Sequence, residues 1–139
     1  MGEPTAYFHH TYDETMALLI ETRNYVAFRE GADHRGLAPY VRLQASYESL
    51  RVTSRLTQVM AWVMAQKACH AGELTLEQAA GPDYALSGGV ICTDPSGPDN
   101  EALPPGLRSL LDRSHRLYER VARLDEQVRR YHDHMRAAM

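Results

Sequence analysis

The sequence predicts an all-α protein: an antiparallel three-helix bundle with a long, partly ordered linker between helices two and three. Three observations carry this reading. Tyr47 to Glu73 has helical periodicity, with apolar residues spread over a wide arc. Leu110 to Met135 carries a regular stripe at spacings of three and four. The dense run of Gly, Pro, Asp and Ser is confined to the segment between those two stretches.

Helix one is predicted over about 11–30. Thr11 is its N-cap and Glu14, three residues on, completes a capping box. Its stripe is Tyr12, Met16, Leu19, Ile20 and Val26, interrupted by Arg23, and Gly31 offers the left-handed C-terminal turn. Leu18 and Tyr25 form a second ridge on the far side, among Glu14, Glu21, Thr22 and Arg29, where an isolated chain is expected to leave them wet. That ridge is one reason to expect self-association.

The short segment from Gly31 to Ala38 turns the chain back antiparallel into helix two, predicted over about 39–71, with Pro39 in its first turn and Gly72 at its end. At 1.5 Å per residue it is roughly 50 Å long. Wound at 100° per residue, Val52, Leu56, Val59, Met60, Val63, Met64, Leu50 and Leu43 fill an arc of roughly 200°, more than one neighbour covers. The remaining narrow sector collects Glu48, Arg51, Arg55, Gln58 and Gln66 around Trp62, the only tryptophan in the protein. A large aromatic among arginines and glutamines is either covered by the linker or placed at the centre of an interface.

The linker, 72–103, exceeds the two to eight residues that join antiparallel helices, and a connection this long is where binding residues collect. Thr75 and Gln78 form a capping box for a short helix, Gly88-Gly89 and Asp94-Pro95-Ser96-Gly97 are turn signals, and Val90-Ile91-Cys92 is an apolar anchor. Val90 and Ile91 are its candidate contacts. Helix three is predicted over about 104–136, started by Pro104-Pro105, with Leu110, Ser114, Leu117, Val121, Leu124, Val128, Tyr131 and Met135 as its stripe. Asp112 with Arg116, Glu119 with Arg123, Asp125 with Arg129 and Glu126 with Arg130 are acid-first surface pairs.

The 139 residues suit one domain, 1–139, with a core large enough to need no staple. Two cysteines make no disulfide framework, and the N-terminus lacks the basic start and apolar centre of a signal peptide. No run of about 18 apolar residues exists, so a cytoplasmic protein off the membrane is expected. A net charge of −3 argues against nucleic-acid binding. Eight arginines on helix three face five acids there, and their pairing reads as a solvated face. Seven histidines offer no HxxxH or HExxH pair, and neither a nucleophile elbow nor a glycine-rich phosphate loop occurs. The residues therefore nominate no catalytic group, no metal site and no cofactor, and the protein is expected not to be an enzyme.

The run from Glu48 to Gln58, ESLRVTSRLTQ, then Trp62, and on through His70-Ala71-Gly72-Glu73-Leu74-Thr75-Leu76-Glu77-Gln78-Ala79, resembles the RcdA family, bacterial regulators of CtrA degradation. Leu103-Pro104-Pro105, Arg113-Ser114 and Arg120 to Asp125 resemble the start of that family's last helix, and Met16 to Leu19 its first. The resemblance implies a dimeric three-helix bundle that acts as a non-enzymatic adaptor. It would connect substrates, among them the cell-cycle regulator CtrA, to the ATP-driven ClpXP protease together with a response-regulator adaptor, in the cytoplasm with recruitment to the cell pole. Leu18, Tyr25, Arg51, Arg55, Gln58, Val59 and Trp62 are the candidate dimer or partner interface. The alternative is a structural or regulatory helical binding module with no role in proteolysis.

Overall fold

The structure, a computed structural model, describes residues 3–138, and all regular structure among them is helical. The elements are α1 (Glu3–Phe28), α2 (Glu30–Arg35), α3 (Pro39–His70), α4 (Leu76–Ala79), a 3₁₀ turn (Pro82–Tyr84), α5 (Gly89–Thr93) and α6 (Pro105–Ala137).

α1 starts well before the predicted cap. Thr11 lies buried in mid-helix, and its carbonyl accepts the Thr15 hydroxyl at 2.7 Å. The helix extends because Phe8 has a partner on α3, the edge of Trp62 at a centroid distance of 5.7 Å. The inward face of α1 is Phe8, Thr11, Thr15, Leu18, Thr22 and Tyr25, at alternating spacings of three and four. The expected stripe is displaced: Ile20 and Val26 are exposed, whereas Leu18 is 7% and Tyr25 8% exposed. Three threonines on the inward face lowered its apparent hydrophobicity, so the pattern pointed to the wrong side.

Gly31 does not end α1. The helix breaks at Arg29, and Gly31 sits inside the short α2, which is tied back by the Tyr25 hydroxyl donating to Asp33 at 3.0 Å and by Ser49 donating to Glu30 at 3.2 Å. α3 begins on Pro39 in its first turn and ends at Gly72, whose φ of +82° is the left-handed conformation a helix stop favours.

Direction is the main correction to the expected architecture. α1 runs antiparallel to α3, with Phe8 beside Trp62 near one end and Glu30 beside Ser49 near the other. It runs antiparallel to α6 as well, with Glu21 on Arg113 and Glu14 on Arg120. α6, however, runs parallel to α3: Arg55 meets Leu111 and Ser114, and Trp62 meets Asp125 further along both helices. The linker's length follows from this. Between the end of α3 and the start of α6 the chain climbs back roughly 35 Å, given 1.5 Å per helical residue from Glu48 to His70.

The shared core is Val52, Leu56, Val59 and Val63 of α3 against Leu107, Leu110, Leu111, Leu117 and Val121 of α6, closed by Phe8, Leu18 and Tyr25 of α1. Each such aliphatic contributes about 1.5 to 3 kcal/mol on burial. The predicted α6 stripe holds as far as Val121; Leu124 and Val128 are half-buried, and Tyr131 and Met135 are exposed.

Candidate functional site

α3 is turned so that its polar sector faces inward. Arg55 is fully buried, and its planar guanidinium spends its donors on four acceptors: the carbonyls of Cys92 at 3.0 Å, Leu111 at 2.9 Å and Asp94 at 2.6 Å, and the Ser114 hydroxyl at 3.2 Å. Arg51, one turn earlier, donates to the Ile91 carbonyl at 2.7 Å and to Glu48 at 3.0 Å, and reaches the Asp94 carboxylate at 3.4 Å. One turn later Gln58 accepts the Ser87 hydroxyl at 2.7 Å, and the Ser87 carbonyl in turn accepts from Tyr118 of α6 at 2.8 Å. These side chains hold the returning linker, residues 87–94, against α3 and α6.

The electrostatics fit a clamp rather than a reaction centre. Burial, reinforced by the neighbouring Arg51 charge, pulls the Arg55 pKa down, while Cys92, Glu48 and Asp94 pull the other way. Burial raises the Cys92 thiol, so its nucleophilic thiolate is disfavoured. Asp94 is held below the usual carboxylate range, first by the backbone N–H of Ser96 and also by Arg51. Burial raises the Tyr118 phenol. Two glycines let the linker lie this close: Gly88 at φ +123° and Gly97 at φ +119°, where an added Cβ would come within 2.7 Å of Leu111.

Trp62 is covered by α1 and α6, not by the linker: its indole N–H donates to Asp125 at 2.9 Å and its ring packs on Phe8. Asp125 is thus half a core residue rather than only the partner of Arg129. Glu119 pairs with His115 at 3.2 Å instead of with Arg123. Of the expected interface residues, Leu18, Tyr25, Arg51, Arg55, Val59 and Trp62 are buried within the chain and Gln58 is half-buried, which removes the reason for seating a second molecule on them. Of the predicted Val90-Ile91-Cys92 anchor only Cys92 is buried; Val90 and Ile91 are exposed.

The apolar surplus of α3 is on its other side. Leu43 is 72% and Leu50 66% exposed, and with Tyr47 and Met64 they form an outward seam at helical spacing. Pattern reading found the surplus and missed its position, because it counted Arg51 and Arg55 as outward. Among the described residues, no helix is long and apolar enough to cross a membrane.

These features define a helical scaffold whose polar machinery orders its own linker. The sequence profile described as "Protein of unknown function (DUF1465)" matches residues 4–138. Among solved structures, the crystal structure of RcdA from Caulobacter crescentus CB15 is 36% identical, covers 87% of this chain and 89% of its own, and superposes with a TM-score of 0.70. No curated protein matches the sequence. The chain belongs to the DUF1465 family and is an RcdA-like protein.

Proposed function

We propose that the chain is a non-enzymatic adaptor of regulated proteolysis that helps deliver cell-cycle regulators such as CtrA to the ClpXP protease, alongside a response-regulator adaptor. The observation that carries this reading is the 36% identity to RcdA over 87% of the chain. The family-like run supplies Arg51, Arg55, Gln58 and Trp62, the side chains that set the linker and α6 on α3. The chain self-associates through the outward seam of α3; exposed Leu43, Tyr47, Leu50 and Met64 on one long helix support a twofold contact.

Deleting the gene and following protein half-lives after translation arrest tests the reading, together with capture on a tagged chain. Slower turnover of specific regulators, and recovery of protease subunits with the response regulator, are the expected results. Unchanged half-lives with no protease recovered would overturn it and leave a helical binding module outside proteolysis.

A further inference from the structure

The linker's return to α6 is fastened at its two ends by apolar side chains and along its length by polar ones. Leu86 and Leu103 dock against the core. Between them, across residues 87–102, Cys92 is the one buried side chain, while Val90 is 78% and Ile91 48% exposed. The rest of the hold comes mainly from Arg51 and Arg55, which donate to the carbonyls of Ile91, Cys92 and Asp94. A segment with so little apolar burial opens at lower cost than the bundle beneath it, because water replaces hydrogen bonds far better than it replaces packing.

The two donors tolerate such an opening. Arg55 gives up the Cys92 and Asp94 carbonyls but keeps the Leu111 carbonyl and the Ser114 hydroxyl on α6, and Arg51 keeps Glu48. The contact between α3 and α6 therefore survives with both guanidiniums still paired. Gly88 at φ +123° and Gly97 at φ +119° bracket the segment and supply backbone that swings without a side chain in the way. We propose that residues 88–97 are a strap that opens as one unit while the helical bundle stays folded. Opening uncovers the face of Arg51 and Arg55 that the strap's carbonyls otherwise occupy. The closed strap is thus an internal cover, and the two guanidiniums reach an acceptor on another molecule only when it is open.

Cys92 reports the opening, because its fully buried thiol is alkylated only once the strap leaves α3. The probe is iodoacetamide on the full chain, with Cys92 resolved from the partly exposed Cys69 by the mass of the labelled peptides. Cys92 should be labelled at least tenfold faster than the global unfolding equilibrium allows, with a urea dependence less than half as steep as that of global unfolding. The amide protons of Cys92 and Asp94, which bond back to the Gly88 and Val90 carbonyls, should exchange with the same opening constant. Val63→Ala, in the core shared by α3 and α6, should lower the urea midpoint and leave Cys92 labelling within twofold. Gly88→Ala, whose added Cβ would overlap the Cys92 sulfur in the closed strap, should speed labelling at least tenfold and keep the shallow urea dependence.

Three results would each overturn the strap: Cys92 labelling with the full urea slope of global unfolding, labelling that rises in Val63→Ala by the same factor as the unfolding constant, or labelling in Gly88→Ala no faster than in the unmodified chain. Separate opening constants at residues 92 and 94 would replace a single unit with piecemeal fraying and overturn it as well. Half-lives in the deletion strain bear on the adaptor role and not on the strap, so the two readings fail separately.

Discussion

Arg55 is a buried charge whose cost is met by four acceptors, three of them main-chain carbonyls, and two of these, on Cys92 and Asp94, have no other donor among the described residues. Removing the side chain strands the Cys92 and Asp94 carbonyls at once. Arg55→Ala should lose about 3 kcal/mol in urea unfolding, with amide exchange accelerating first across residues 91–94. Arg55→Lys should recover little of this, because a single ammonium cannot reproduce the planar fork. The sequence marked Arg51, Arg55, Gln58 and Trp62 as a polar group that needed a partner. It could not show that the chief partners of the two arginines were carbonyls, since main-chain acceptors leave no trace in side-chain pattern.

Two phenols titrate against the fold. Tyr25 is raised well above the ordinary tyrosine value by burial first and then by its hydrogen bond to Asp33, and Tyr118 is raised chiefly by burial. Both folded values lie above the unfolded one, so their contribution is fully present below about pH 10 and is lost as pH rises beyond it. Urea midpoints should hold between pH 8 and about 9.5 and fall above pH 10. Phenylalanine at both positions should flatten that fall, and a flat wild-type profile would contradict the assignment.

At the scale of the helix, α1 shows how a correct element can carry an incorrect face. Its existence was plain from periodicity, but its inward side is built on Thr11, Thr15 and Thr22, residues that no hydropathy count places inside. Threonine suits the position because its small, branched side chain lets α1 approach both α3 and α6. Thr15 returns its hydroxyl to the Thr11 carbonyl, whereas the buried Thr22 hydroxyl has no partner among the described residues. Thr22→Val keeps the outline and removes the unmet group, and should raise stability by about 1 kcal/mol, read as a higher thermal midpoint.

α6 gives the complementary case. Its limits and stripe were legible, as was the Thr75–Gln78 capping box, which the structure forms in both directions. Its direction was not. Helix packing at shallow angles works equally well with parallel and antiparallel neighbours, and only the linker length, which a parallel return requires, bore on the choice.

At the scale of the molecule, the apolar surplus is conserved as a quantity and moved in position. α3 has more apolar circumference than α1 and α6 cover, and the uncovered part is the seam of Leu43, Tyr47, Leu50 and Met64 rather than Leu18, Tyr25 or Trp62. Leu50→Glu should therefore leave the helix content and melting of the chain within about 1 kcal/mol of wild type, since the side chain meets mainly solvent. It should also shift the sedimentation of the assembly toward a single chain at tens of micromolar. Leu18→Glu, by contrast, should unfold the chain rather than divide an assembly.

The parallel return of α6 also decides where the molecule's two ends lie. Helices one and six oppose each other, so residue 3 and residue 138 sit at the pole that holds the last turn of α3, and the turn through α2 occupies the other. Anything tethered to either extremity emerges from one cap of the particle, and the far cap stays unobstructed.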